Sequence, residues 1–162
     1  MERLPKEYKS YINRLVEVFR AAVWAGEYRL NVHHTDNVKI DYDLADDDVV
    51  RAAVTIDPAY LNVNLTISES VYNDWKAGNY EPIAETLCHE FCHILVCPLQ
   101  ALARIDIPPS REREVREVVE RQTQRITNAI FPLVPQEKWM PEKGEIYRAK
   151  GVRARASKNR PE

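Results

Sequence analysis

The chain has 162 residues, a formal net charge of −2 and 44% hydrophobic residues, which suits one globular domain with a single hydrophobic core. The nearly balanced charge predicts no class of partner for the chain as a whole. No apolar run reaches the length of a membrane-spanning helix, and the first residues do not resemble a signal peptide. We therefore expect a cytoplasmic protein that does not bind membranes.

The first half of the chain alternates between helical and strand patterns. Apolar residues at helical spacing over 5–24 predict an amphipathic helix. Alternating or β-branched runs predict strands over 28–33, 49–56 and 60–67. The last two strands follow each other closely, as a hairpin or as successive strands of one sheet. An exposed edge of that sheet could hold an extended peptide by strand addition.

Two features of this half could be mistaken for metal sites. The segment 36–48 is rich in aspartate but lacks the glycine and the final glutamate of an EF-hand loop, so we interpret it as a solvated connection. His33 and His34 are neighbours on a strand and point to opposite faces, so they cannot act together. We interpret both as surface histidines.

The second half is mostly helical. A short helix is predicted over 68–76, which Gly78 ends, followed by a longer helix over 81–97. Pro98 is expected to break or kink that helix because proline cannot continue the hydrogen-bond pattern. A further amphipathic helix is predicted over 110–131.

The longer helix carries an HExxH motif, in which His89 and His93 stand four residues apart. Residues at this spacing share one face of a helix, so both imidazoles can bind one metal ion. Glu90 lies about 100° further round, where a carboxylate can act as general base on a water at the metal. Cys88 and Cys92, on the same helix, are interpreted as small buried hydrophobic residues.

A catalytic zinc site needs a third protein ligand and one open position for water. No histidine follows His93. The extended metzincin motif is excluded because Val96 and Leu99 stand where it has glycine and histidine. The remaining choice is a carboxylate on the downstream helix, as in sites built from two histidines and one glutamate.

Several glutamates of the downstream helix compete for this role. Glu117 falls opposite the apolar stripe, as an ion-paired surface residue would. Glu120 falls on an uncharged flank that it shares with Thr123 and Thr127. We therefore favour Glu120 as the third metal ligand over Glu117, with Glu114 in third place.

These residues resemble the zincin superfamily, above all the small gluzincin-like metallopeptidases found in phages and prophages. The likeness rests on the HExxH motif, the Leu-Val-Cys-Pro-Leu sequence at its end, the strands before it and the glutamate-bearing helix after it. It implies an α+β fold with a small mixed sheet packed on the active-site helix, flanking helices and an edge strand over that helix. It also implies Zn2+ held by His89, His93 and a downstream glutamate, with Glu90 as the base that hydrolyses peptide bonds.

The resemblance covers about residues 5–131, so we expect a metallopeptidase domain over 1–135. From residue 136 onward hydrophobic residues thin out and lysines and arginines accumulate, which predicts a basic, flexible tail over 136–162. The motif also resembles that of SprT/Spartan-like proteases, which cleave DNA-bound proteins, and the tail would suit nucleic acid. That family takes its third ligand from a later histidine, which this chain lacks. A catalytically inactive zincin-fold binding protein is the other alternative, against which the intact Glu90 argues.

The sequence offers candidates for two supporting roles. Glu85, one turn before His89, could accept a hydrogen bond from its imidazole. The group that stabilises the oxyanion could be Tyr60, Tyr72 or Tyr147.

Overall fold

A computed structural model describes residues 4–36, 38, 50–57, 59–104 and 107–147. The described chain folds as an α+β protein, as predicted. Short 3-10 turns precede and follow the fourth helix. No helix in the described ranges combines the length and the apolarity needed to cross a bilayer. The elements are α1 (Lys6–Ala22), β1 (Arg29–Thr35), β2 (Ala52–Asp57), β3 (Asn62–Ser68), α2 (Glu69–Ala77), α3 (Tyr80–Arg104), α4 (Glu112–Ile130) and α5 (Gln136–Trp139).

The core lies between α1, the inner face of the sheet and the buried side of α3. Helix α1 contributes one continuous apolar face, and each large side chain that it buries contributes about 1.5–3 kcal/mol. The buried residues of α1 are Tyr8, Tyr11, Ile12, Leu15, Val16 and Phe19. This face supports α3 from behind and thereby fixes the position of the motif helix.

The sheet has the strand order β1-β3-β2. Strand β2 pairs antiparallel with β3, which confirms the predicted hairpin, whereas β1 pairs parallel with β3. Val63, Leu65 and Ile67 of β3 are buried, and their alternation fixes the register of the pairing. The sheet is therefore mixed, as expected, and within it β2 is an edge strand.

Helix α3 continues through Pro98 to Arg104, so of the two predicted effects of Pro98, a break or a kink, the break does not occur. A proline inside a helix removes one hydrogen bond and costs about 3 kcal/mol or more. Here the proline is exposed, while Ile94 and Val96, in the turn before it, stay buried. Packing of these apolar side chains outweighs the local preference, as it commonly does in proteins.

Helix α2 ends as predicted, since Gly78 adopts a left-handed conformation with a φ of 83°. His34, in contrast, is not a surface residue. It is half-buried, and its ring centre lies 5.4 Å from that of Tyr8. His33 points to the other face and is exposed, as predicted. The acidic connection over 36–48 lies almost entirely outside the described residues.

The described part of the expected tail, 136–147, packs on α1. Trp139 and Glu145 are buried. The Glu145 carboxylate forms an ion pair with Arg14 at 2.8 Å, and the indole N–H of Trp75 donates to the Glu145 carbonyl at 2.8 Å. The predicted boundary between domain and tail therefore falls inside the folded unit. The rest of the tail lies outside the described residues.

Candidate metal centre

Two helices bring together the three side chains selected from the sequence. His89 and His93 extend from α3, and Glu120 extends from α4. Their potential ligand atoms all lie within 4.8 Å of one another. The Oε2 atom of Glu120 is 3.4 Å from Nε2 of His89 and 3.5 Å from Nε2 of His93.

Antiparallel packing of α3 and α4 produces this convergence. The Oγ1 atom of Thr123 lies 3.2 Å from Nδ1 of His93, and Thr127, one turn later, hydrogen-bonds to Cys92, one residue earlier. Thr123 and Thr127 are fully buried, so the uncharged flank of α4 faces the motif helix. Glu120 is on the same flank and is therefore presented to both imidazoles.

Two of the three separations in this cluster are compatible with a tetrahedral metal ion such as zinc. Ligand bonds of about 2.0–2.1 Å place two ligand atoms of such an ion about 3.3 Å apart. The distances from Glu120 to the two imidazoles are close to this value. Two imidazoles and one carboxylate also form a donor set of catalytic zinc, which leaves one position open. The Glu120 side chain is 46% exposed, so water can reach the site.

The three groups are electrostatically matched. Hydrogen bonds from His89 and His93 lower the pKa of Glu120 to about 2, against the opposing effect of burial. Burial by itself lowers the pKa of His89, but the hydrogen bond to Glu120 and the charges of Glu90 and Glu120 outweigh it and raise that pKa. The carboxylate is therefore ionised at neutral pH, as a metal ligand must be.

Glu90 is buried beside the two histidines. Burial raises its pKa to about 7, although the charges of His93 and His89 and a hydrogen bond from the Val54 backbone amide oppose the rise. A group that exchanges protons near neutral pH suits general acid–base chemistry. The sequence does not predict the burial of Glu90. The adjacent His89 is only half-buried.

Thr123 is a site residue that the sequence analysis did not select. A neutral imidazole that binds metal through Nε2 carries its proton on Nδ1 and donates it to an outer acceptor. The Oγ1 atom of Thr123 lies 3.2 Å from Nδ1 of His93 and is in position to be that acceptor when His93 binds metal through Nε2. Its spacing of three residues from Glu120, on the same flank, was the available signal. Among the described residues, no hydrogen bond joins Glu85 to His89, so the suggested role of Glu85 has no structural support.

The competing glutamates of α4 point away from the histidines. Glu117 accepts a hydrogen bond from Arg113 at 3.0 Å, and Glu114 accepts one from Arg111 at 3.0 Å. All four side chains are exposed. These are surface ion pairs, and neither glutamate belongs to the donor cluster.

The candidate site opens into a cleft of about 960 Å³. Strand β2 forms one wall, and α3 and α4 form the others. Tyr60, Tyr72 and Tyr147, the suggested oxyanion donors, do not line it. Tyr72 and Tyr147 pack against Trp75 instead, and Tyr60 is exposed. Apart from the histidines, polar donors in the cleft come from arginine, glutamine and threonine side chains.

Within the described part of the chain, the backbone of β2 is open toward this cleft. The Ser68 amide donates to the Arg51 carbonyl at 2.8 Å. Because hydrogen bonding alternates along an antiparallel pair, the N–H and C=O groups of Ala52, Val54 and Ile56 face away from β3. The hydrogen bond from Val54 to Glu90 agrees with this alternation. The open edge therefore runs along the motif helix.

The three cysteines do not enter the donor cluster in the described part of the chain. Cys88 and Cys92 are buried and hydrogen-bond to each other, in agreement with their interpretation as core residues. Cys97 is half-buried and lines the cleft.

Comparisons with protein-family models, with curated proteins and with solved structures give no match to this chain. The class of site is therefore defined by its own geometry. Two imidazoles and one carboxylate converge beside a buried carboxyl group, in a cleft bordered by an open sheet edge.

Proposed function

We propose that this protein is a zinc-dependent metallopeptidase of the zincin type. His89, His93 and Glu120 hold Zn2+, and Glu90 is the general base. The convergence of three potential ligand atoms within 4.8 Å, beside Glu90, carries the proposal. This donor set is the one used by thermolysin-like catalytic zinc sites.

Each side chain of the centre has a definite task in hydrolysis. Bound Zn2+ lowers the pKa of water toward about 7 and polarises the scissile carbonyl. Glu90 takes the proton of the attacking water and passes it to the leaving amine. Thr123 accepts the Nδ1 proton of His93 and so keeps Nε2 directed at Glu120.

The open edge of β2 supports a peptide as the substrate. An extended chain that pairs with the outward groups of Ala52 and Ile56 lies along α3 and passes over Glu90. The cleft volume of about 960 Å³ is at the upper end of the range for small-ligand pockets, about 300–1,000 Å³. A peptide segment of several residues fits in this volume.

The test combines zinc content with cleavage of an unstructured protein such as casein. Wild type is expected to carry about one zinc and to cleave casein, while Glu90→Gln keeps the zinc and loses cleavage. Glu81→Gln, an exposed position on the same helix outside the cleft, is the matched control and retains both. Wild type without zinc under metal-replete conditions would reject the proposal. Zinc without cleavage would leave a zincin-fold binding protein.

A further inference from the structure

Besides the candidate ligands and the buried base, the cleft is lined by the charged side chains of Arg51, Glu85 and Arg116. Each of the two arginines has a carboxylate close by. The Arg51 guanidinium is 2.7 Å from the Asp74 carboxylate, and the Arg116 guanidinium is 3.9 Å from that of Glu112. Opposite charges this close attract each other and offset their fields in the cleft. The arginines therefore add little net positive charge to it.

Glu85 has no such counter-charge in the part of the chain that the structure describes. No ion pair between described residues includes its carboxylate. Its side chain is exposed and lies one turn before His89, on the face of α3 that lines the cleft. Among the described residues, the donor cluster does not include it. The Glu85 carboxylate is therefore a negative charge in the cleft wall that an incoming cation can reach.

The contacts of Arg51 explain why this arginine, at the same end of the cleft, does not pair with Glu85. Its Nε atom donates to Oγ1 of Thr86 at 3.0 Å. The Thr86 hydroxyl in turn donates to the Pro82 carbonyl at 2.7 Å, which leaves its oxygen free to accept from Arg51. Together with the ion pair to Asp74, these contacts hold the guanidinium toward α2. The charge of Glu85 is thus left to a ligand.

The direction of β2 fixes which part of a bound peptide lies at Glu85. Strand β2 runs in the same direction as α3, because Arg51, just before the strand, hydrogen-bonds to Thr86, and Val54, further along, hydrogen-bonds to Glu90. Antiparallel pairing is the more stable kind per residue. A peptide paired in this way with the open edge of β2 therefore has its carboxyl-terminal part at the end of the cleft where Glu85 adjoins Thr86.

We propose that Glu85 is a specificity-determining residue that binds a basic side chain of the substrate. This inference rests on the proposed peptidase function. Lysine and arginine carry their charge on long stems, which can reach an exposed carboxylate from a backbone held at β2. The substrates are therefore peptides with lysine or arginine on the carboxyl side of the scissile bond. Because the carboxylate is exposed, the preference is modest and is screened by salt.

The first test maps the bonds that are cleaved in casein by mass spectrometry. For wild type, Lys and Arg should be enriched about threefold to fivefold on the carboxyl side of the cleaved bonds. Glu85→Gln should lose this enrichment, whereas Glu81→Gln, an exposed position one turn earlier and outside the cleft, should keep it. Cleavage without enrichment would overturn the inference alone. Absence of any cleavage by wild type would reject the proposed function on which the inference rests.

The second test uses two peptides built around one mapped bond, which differ only in Lys or Gln on its carboxyl side. Glu85→Gln should raise KM about threefold to fivefold for the Lys peptide, with little change in kcat, and should leave the Gln peptide unchanged. Glu85→Asp should keep part of the preference, and Glu85→Lys should prefer a Glu peptide. The zinc content should be the same in all three variants, since Glu85 lies outside the donor cluster of the described residues.

Three results of the second test would overturn the inference. Equal losses for both peptides would show that Glu85 has a merely structural role. A preference that stays the same in about 1 M salt would not come from an exposed charge. A preference that vanishes when the amino terminus of the peptide is acetylated would show that Glu85 binds a free amino group instead of a side chain.

Discussion

Two glutamates join distant parts of this chain, and they do so under opposite conditions. Glu120 connects α4 to the histidines of α3 at the rim of a cleft, with a side chain that is 46% exposed. Glu145 connects the carboxyl-terminal segment to α1, with a side chain that is 7% exposed. It accepts hydrogen bonds from Arg14, Ser10 and the Glu142 amide.

The difference in burial decides what each carboxylate can do. Removing one partner of a buried ion pair strongly destabilises the folded protein, because the other charge is left buried without compensation. An exposed ion pair contributes about 0–1 kcal/mol. Glu145 therefore serves the fold, and Glu120 adds little to stability but is available to an incoming cation. Variants at the two positions should separate metal binding from stability.

The largest expected effect is on zinc affinity in Glu120→Gln. Loss of one of three protein ligands should weaken zinc binding by more than about 100-fold, since even outer partners of ligands are worth about 10–100-fold. The free energy of unfolding of the metal-free protein should change by less than about 1 kcal/mol. Zinc titration against a competing chelator measures the first, and urea unfolding measures the second. Glu117→Gln is the control, because the Glu117 side chain pairs with Arg113 outside the site. A loss of zinc in this variant would assign the third ligand to Glu117 instead of Glu120.

Glu145→Gln should give the reverse pattern. The amide cannot neutralise Arg14, so the free energy of unfolding should fall by about 2 kcal/mol. Zinc affinity should stay within about twofold because the ion pair between Glu145 and Arg14 does not line the cleft. Urea unfolding and the same zinc titration test both statements. Glu137→Gln, an exposed position on α5, should leave both quantities unchanged, and an equal loss of stability in that control would remove the special role of Glu145.

The same contrast explains what the sequence could predict. The histidines of the site are four residues apart, and Glu120 follows from its phase on one helix, so the candidate cluster depends on local periodicity. The β2–β3 hairpin is local as well. The ion pair between Arg14 and Glu145, in contrast, joins residues that are 131 positions apart. No periodic pattern in the sequence predicts it. Sparse hydrophobic residues after 135 therefore resembled a free tail.

Tertiary packing accounts for the wrong prediction at Pro98 and for features that the sequence analysis did not predict. Pro98 has a strong local tendency to end a helix, yet buried neighbours on α3 hold the helix together. The parallel pairing of β1 with β3 depends on a crossover that no short window of sequence encodes. Thr123 was within reach, because it shares the helix face of Glu120, but its contact with His93 depends on how α4 packs on α3.

A smaller effect is expected when the support of one histidine is removed. Thr123→Val keeps the shape of a buried side chain but deletes the acceptor for Nδ1 of His93. Zinc affinity should fall about tenfold, in the range found for outer partners of metal ligands. Thr123→Ser should recover most of it. Thr127→Val removes a buried hydroxyl one turn away, which donates to the Thr123 carbonyl rather than to a histidine, and a similar loss of zinc there would contradict the assignment.

The smallest effect expected is in the pH dependence of stability, which separates the two glutamates once more. Burial alone raises the pKa of Glu145, but the hydrogen bond from Arg14, those from the Glu142 amide and Ser10, and the charge of Arg14 outweigh it and lower that pKa. A carboxyl group whose pKa is lower in the folded than in the unfolded protein stabilises fully above its ordinary pKa of about 4.3. Its contribution is lost as the pH falls through the lower value. We therefore expect the free energy of unfolding of the zinc-free wild type, measured with urea, to fall more steeply between about pH 6 and pH 3 than that of Glu145→Gln. Parallel curves would mean that Glu145 is held by packing of its neighbours and not by its charge.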